Sequence, residues 1–428
     1  MDNLNLKELD KKNIWHPFTP LVGGVEPVMI TAAEGVYLHT DDGRKIIDAV
    51  SSWWVNIHGH SNQTIAKAVA EQAGKLEHVI FAGFTHEPAI RLSKNLLSIL
   101  PPNQSRIFFS DNGSTAVEVG LKMALQYWYN QGIPRKKIIA IDGAYHGDTF
   151  GSMSVGERGI FTNPFQSHLF ETIFIDFPEA GREEHILEQF CELIEDGDVA
   201  AFIYEPLVQG AGGMRMYSAS LLNDLLTEAQ ANDVICIADE VLTGFGRTGK
   251  YFASDYCLVK PDIMALSKGI TGGTMPLGVT TCSDKIQEAF QTDDFLKTFF
   301  HGHSYTANPI ACAAANASFN LLVAEECQQN IQRIASQHRA FASELLHHNA
   351  VATVRSLGTF LALEIKTDTK TSYENEIRKM IYPFFMERNV LLRPLGNIIY
   401  ILPPYVITNE QLQEVYTVIR AFLDMLER

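Results

Sequence analysis

Residues 234–268 read VICIADEVLTGFGRTGKYFASDYCLVKPDIMALSK. Two short apolar runs rich in β-branched residues, VICIADE and DIMALS, each end on polar residues, and a Gly-rich stretch lies between them. Continuous apolar runs of this length, bounded by turn residues, are what strands buried on both faces look like. The same rhythm extends outward in both directions. RIFF (106–109), KIIAID (137–142), TIFID (172–176), AAFIYEP (200–206) and LGVTTC (277–282) are further runs, and helical patterns at 114–130 and 221–232 separate several of them. Strands alternating with helices predict an α/β fold with a mostly parallel sheet between helices, and such sheets bind ligands at the carboxyl ends of their strands. Asp239 and Lys268 both fall at that edge.

After residue 308 the pattern changes to an Ala-rich helix (309–325), a second helix to about 348, strands at 353–357, 359–365 and 398–404, and two more helices. This predicts a smaller α+β unit. The expected division is an N-terminal segment (1–60), with strand candidates at 28–30 and 35–39, packing with the small unit; a large domain (61–307); and a C-terminal small domain (308–428).

The 428 residues carry 34 Lys+Arg against 50 Asp+Glu, a formal charge of −16, which disfavours nucleic acid as a partner. Cysteines 191, 236, 257, 282, 312 and 327 form no C-x-x-C pair, so no zinc cage, other metal site or disulfide framework is expected. The polar N-terminus and the lack of any run near the roughly 18 apolar residues of a membrane span predict a cytoplasmic protein without membrane attachment.

GFGRTGK at 244–250 fits both G-x-G-x-x-G and G-x-x-x-x-G-K. Either nucleotide site needs a strand running into the glycines and a helix leaving them. Here VLT intervenes, the following KYFASDY is a poor helix start, and Tyr251 stands where a P-loop needs Ser or Thr. A structural or substrate-side loop carrying Arg247 is the better reading.

Asp239 and Lys268 admit two readings. They are a buried ion pair, since an unpaired carboxylate in a strand end is costly, or they face a cofactor, Lys268 as a Schiff-base amine and Asp239 as the partner of a pyridinium nitrogen. The rest of a pyridoxal phosphate site favours the second. SDNGSTAVEV (110–119) brings Asn112, Gly113, Ser114 and Thr115 to a strand–helix junction, where amides and hydroxyls suit a phosphate, although a plain N-cap explains either hydroxyl residue alone. Tyr145, just past KIIAID, can stack on the ring.

Together, NGSTA (112–116), YHGD (145–148), Glu205-Pro206 with Gln209-Gly210, Asp239-Glu240, GFGRTG (244–249), Lys268-Gly269 and the segment from His301-Gly302 to Asn308-Pro309 resemble the class III pyridoxal phosphate aminotransferases over nearly the whole chain. The resemblance implies fold type I and a homodimer with shared active sites. WHPFT (15–19), SSWW (51–54), ALQYW (124–128), QGAGGMRM (209–216) and Arg393-Pro394 are similar to the branch of that family that transfers an amino group from S-adenosylmethionine to 8-amino-7-oxononanoate in biotin biosynthesis.

By that resemblance Lys268, Asp239 and Tyr145 are catalytic. Gly113 and Ser114 hold the cofactor phosphate, with His303 and Ser304 from the other subunit. Phe18, Trp53, Trp54, Tyr145, Gly302 and Arg393 contact substrate, Arg393 by a fork on the oxononanoate carboxylate, and Arg247 is a further candidate. Two positions depart from the usual pattern: Phe18 stands where many relatives have Tyr, and His303-Ser304 where Pro-Thr is usual. The alternatives are the same reaction with lysine as donor, another class III transaminase acting on an ω-amino acid or diamine, and a nucleotide-binding protein using 244–250.

Overall fold

The computed structural model describes residues 6–427, so residues 1–5 of the expected N-terminal segment and residue 428 lie outside the description. All seven runs form one sheet, whose strands lie in the order Gln104–Ser110, Gly278–Ser283, Ile263–Leu266, Ile235–Asp239, Val199–Tyr204, Lys137–Ile141 and Ile173–Ile175. Only Gly278–Ser283 runs antiparallel to its neighbours. Val199–Tyr204 and Ile235–Asp239 are buried at every position, as strands covered on both faces must be. One face is covered by the 18-residue helix Gly113–Asn130, the other by the larger core cluster.

The register sets the working edge. Asp239 pairs with Ala265, three residues before Lys268, and Ala238 pairs with Tyr204, one residue before Glu205. Ala140 pairs with Ile203, so the chain leaves the sheet toward Tyr145 on the same side.

A second sheet joins the two chain ends: Ile30–Glu34, Tyr37–Thr40 and Lys45–Asp48 run antiparallel, and Val390–Leu391 pairs parallel with the last of these. Lys45–Asp48 is a strand the sequence reading does not anticipate. Val351–Leu357, Phe360–Ile365 and Ile398–Ile401 form a third, antiparallel sheet. The Ala-rich helix is Pro309–Leu322, shorter than expected, because Ala324 takes an extended conformation (ψ 138°) that opens the next helix, Glu325–Leu345. Pro309–Leu322 packs against Gln63–Lys75 and Glu87–Leu97. Among the described residues no helix is long and apolar enough to cross a membrane, and no metal-ligand cluster is found.

Candidate active site

A cavity of about 610 Å³ opens at the carboxyl edge of the central sheet, with Trp54, Gly113, Ser114, Tyr145, Asp239 and Lys268 in its lining. All but Trp54, which lies in the turn Ser51–Trp54 after the strand Lys45–Asp48, sit at or just beyond the ends of the central strands. Lys268 opens a short 3-10 turn after Ile263–Leu266 and has φ 47°. Such a backbone is uncommon for a side-chain-bearing residue and costs on the order of 1–3 kcal/mol. Its Nζ lies 4.6 Å from the centroid of the Trp54 ring. Burial pushes its pKa down to about 8, against the raising influence of the Asp239 and Glu205 carboxylates.

The ion pair between Asp239 and Lys268 is not formed. Asp239, 4% exposed, takes His146 as its partner: Nδ1 of the imidazole lies 2.7 Å from Oδ2, while Oδ1 accepts from the Val241 amide at 3.0 Å. His146 is itself buried, with Nε2 unpartnered. Within YHGD the residue type alone gives His146 no role. The signal was its place beside Tyr145, at the edge where Asp239 ends.

Glu205 is the second residue missed. It lines the cavity, its Oε1 accepts the Tyr145 amide at 2.9 Å and its Oε2 the Gly210 amide at 2.9 Å, and burial raises its pKa to about 7. Tyr145 is thereby held by its backbone, and burial raises its phenol as well.

At the N-terminus of Gly113–Asn130 the cap is Asn112. Its side chain accepts from the Thr115 amide at 3.0 Å, and the Thr115 hydroxyl accepts from the Asn112 amide at 3.1 Å, a reciprocal capping box. Thr115 is therefore committed to the cap, whereas the Ser114 hydroxyl accepts only the Asp148 amide, at 3.2 Å. Gly147 (φ 132°) makes this approach possible, since a Cβ there would sit 2.1 Å from Ser114 Oγ.

Three other expected residues form a second cluster joined to the cavity through the Trp53–Trp54 peptide. The Arg393 guanidinium lies 4.3 Å from the Trp53 centroid, and Phe18 packs edge-on to Trp53 at 5.6 Å and to Phe161 at 5.8 Å. Phe161 in turn meets Tyr373 at 4.9 Å. Arg393 has no carboxylate partner among the described residues.

Arg247 does not line the cavity. It is 1% exposed and donates to the carbonyls of Pro403 at 2.9 Å and Trp54 at 3.1 Å, over the Tyr405 ring, so it braces the cavity wall from behind. Residues 244–250 are turn backbone followed only by the short 3-10 helix Ala253–Tyr256, with no α-helix leaving the glycines as a nucleotide site needs. Gly302, His303 and Ser304 lie away from this chain's own cavity, and Gly302 and Ser304 are exposed.

The residues present fit pyridoxal phosphate. A half-buried amine of lowered pKa stands beside a carboxylate fixed by an imidazole, and a capped helix N-terminus with a hydroxyl faces the same cavity.

Comparison with known proteins is consistent with this geometry. The profile of the family described as aminotransferase class-III matches residues 22–423. The adenosylmethionine-8-amino-7-oxononanoate aminotransferase of Synechococcus elongatus is 47% identical over 96% of this chain and 98% of its own. A solved structure of the protein of that name from Methanocaldococcus jannaschii has a TM-score of 0.92 and 35% identity, covering 97% of this chain and 98% of the other. An amine transaminase from an uncultivated Pseudomonas species, solved in its PLP-bound form, has a TM-score of 0.91 and 30% identity, covering 96% and 98%.

Proposed function

Since the chain belongs to the class III aminotransferase family, we propose that it transfers the amino group of S-adenosylmethionine to 8-amino-7-oxononanoate, giving 7,8-diaminononanoate in biotin biosynthesis. It is a fold type I, pyridoxal phosphate-dependent aminotransferase. The observation that carries the substrate reading is Arg393, a half-buried cation without a carboxylate partner among the described residues, over Trp53 and next to the cavity that holds Lys268. That arrangement suits a substrate with a carboxylate at one end and a reacting carbon several bonds away.

Bound here, pyridoxal phosphate supplies an aldehyde that carries the amino group and a ring that accepts the electron pair left when a carbon loses its proton. Lys268 Nζ takes and returns that proton. A neutral amine is needed for this, and a pKa near 8 provides a usable fraction at neutral pH. Asp239, fixed by His146, pairs with the ring nitrogen; Gly113 and Ser114 bind the phosphate; and Tyr145 stacks on the ring. Trp53, Trp54 and Phe18 offer aromatic faces to adenine and the sulfonium cation. Phe18, a ring without a hydroxyl, and the His-Gly-His-Ser-Tyr stretch at 301–305 are the features that favour lysine as donor.

The site needs a second copy of the chain. Ile80, Phe84, Leu296, Phe300 and Tyr305 are exposed, at 59%, 61%, 74%, 57% and 65%. Leu296, Phe300 and Tyr305 flank Gly302, His303 and Ser304 in sequence. Ile80 and Phe84 lie on a stretch tied to that segment by His78 against Tyr305 and His86 on the Ala307 carbonyl. This supports a homodimer in which Gly302, His303 and Ser304 complete the partner's cavity. We keep the division at 1–60, 61–307 and 308–428, and assign the enzyme to the cytoplasm.

The experiment loads the protein with pyridoxamine phosphate, supplies 8-amino-7-oxononanoate and looks for diaminononanoate. Absence of product, with good turnover of an aliphatic ω-keto acid, overturns the substrate assignment. Regeneration of the amino form with S-adenosylmethionine but not with lysine supports the proposed donor, and the reverse replaces it.

A further inference from the structure

Ser51, Ser52 and Trp54 have φ values of 52°, 60° and 69°, in a stretch without glycine. Ser52 combines its φ with ψ −81°, the rarer and strained γ-turn region. Serine and tryptophan do not choose this path by themselves. It nevertheless sends two adjacent indoles to different tasks, Trp54 over Lys268 at 4.6 Å and Trp53 under Arg393 at 4.3 Å.

One buried carboxylate holds the path. Asp48 is 0% exposed. Its Oδ1 accepts from the Ser52 amide at 2.8 Å and the Val50 amide at 3.3 Å, and its Oδ2 accepts from the Ser52 hydroxyl at 2.9 Å. His60 Nε2 lies 2.8 Å from the same Oδ2, and its Nδ1 meets Asn56 Nδ2 at 3.0 Å. Asn56 closes the other end of the turn against the loop that follows Lys268: a Cβ on Gly273 would come within 2.9 Å of the Asn56 backbone. An ion pair that merely stabilised the fold could grip the chain anywhere. Here the backbone contacts of the carboxylate fall on the turn that aims the two indoles.

We propose that Asp48 is a positioning residue for substrate binding: through Ser52 it fixes the backbone that aims Trp53 and Trp54, and His60 holds the carboxylate in place. The proposal deepens the reading of the cavity as an aminotransferase substrate site and rests on it.

The test is Asp48→Asn in the holoenzyme. The cofactor content and visible spectrum should stay those of the wild type. KM for both substrates should rise roughly tenfold or more, the usual consequence of losing a charge-assisted hydrogen bond, while kcat changes much less. Ser52→Gly added to that variant should recover most of the KM, because glycine takes positive φ unaided. Unchanged KM, a loss confined to kcat or cofactor content, or failure of the glycine to rescue overturns the proposal.

If Asp48→Asn does not fold, His60→Gln, which removes only the ring holding Oδ2, should raise KM in the same direction; unchanged KM there also overturns it. If the wild type itself turns over neither substrate, the functional reading has failed, and the positioning role is decided by fluorescence. With Trp15 and Trp128 replaced by Phe, only Trp53 and Trp54 of the 4 tryptophans remain. Asp48→Asn should then shift their emission, and identical emission refutes the role.

Discussion

Lys268 is the residue whose protonation state the surroundings have altered most usefully. Its ammonium is disfavoured by burial, so the pKa falls from 10.5 to about 8 even though Asp239 and Glu205 pull the other way. Only the neutral amine can attack an aldehyde. Uptake of pyridoxal phosphate by the cofactor-free protein, followed by visible absorbance, should therefore slow as pH falls through about 8 and level off above it. A rate still climbing at pH 10.5 would mean that the burial has no such effect. Arg393 is expected to behave differently from every cofactor-binding residue. Arg393→Ala should raise KM for 8-amino-7-oxononanoate roughly ten- to hundredfold, the range for a lost charged hydrogen-bonding partner, and leave the S-adenosylmethionine half-reaction within a few-fold. Equal effects on the two half-reactions would remove its assigned role. Arg247 offers the contrast: the same residue type, buried against two carbonyls, whose loss should act on the cavity wall and on folding.

At the scale of elements, the phosphate end of the site depends on how one helix begins. Asn112 and Thr115 satisfy each other's amides, which leaves Gly113 and Ser114 free for a ligand. Asn112→Ala should cost about 1 kcal/mol of stability and weaken pyridoxal phosphate binding, measured by cofactor titration of the variant; unaltered affinity would show that the cap does not shape the site. This helix and the seven strands were legible in the sequence because buried parallel strands leave unbroken β-branched runs and their ends mark the working edge. Lys45–Asp48 and the Ser51–Trp54 turn were not, since four residues set no periodicity, and a positive φ at serine or tryptophan has no sequence signal. His146 and Glu205 escaped because their roles come from register across strands, and Asp48 because its role comes from a turn whose backbone path residue type does not reveal. The bracing contacts of Arg247 left no sign either, since the carbonyls that hold it lie far off in sequence, at Trp54 and Pro403.

For the molecule as a whole, four buried groups stand out in the response to acid and act in opposite directions, while burial also raises the Asp262, Asp255 and Glu157 carboxyls. Burial lowers His58 to about 4 and His338 to about 3, from 6.5. It raises Glu205 and Glu240 from 4.5 to about 7. Between pH 6.5 and 4.5 the unfolded chain binds protons on the two histidines that the folded chain refuses, while the folded chain binds protons on the two carboxyls that the unfolded chain releases. The contributions nearly cancel, and stability is flat. Near pH 4 the two carboxyls are largely protonated in both states and the histidine difference prevails. His58 is itself taking up its proton there, so these groups make stability fall with pH at about 1.3 kcal/mol per unit, close to one proton. Glu344, lowered by its hydrogen bond to Arg420, adds a smaller loss in the same range. His338 is fully buried, with Nδ1 2.7 Å from the Tyr416 hydroxyl and Nε2 3.1 Å from the Thr359 carbonyl, so it contributes through the protons it refuses in the folded state. His338→Gln should be less stable than the wild type at pH 7, having lost a fitted ring, but its acid limb should be shallower by about 1 kcal/mol per pH unit. Denaturant titrations at several pH values between 3 and 5 measure that slope directly. Parallel limbs for the two proteins would assign the acid sensitivity elsewhere, to the exposed carboxylates and their cationic partners.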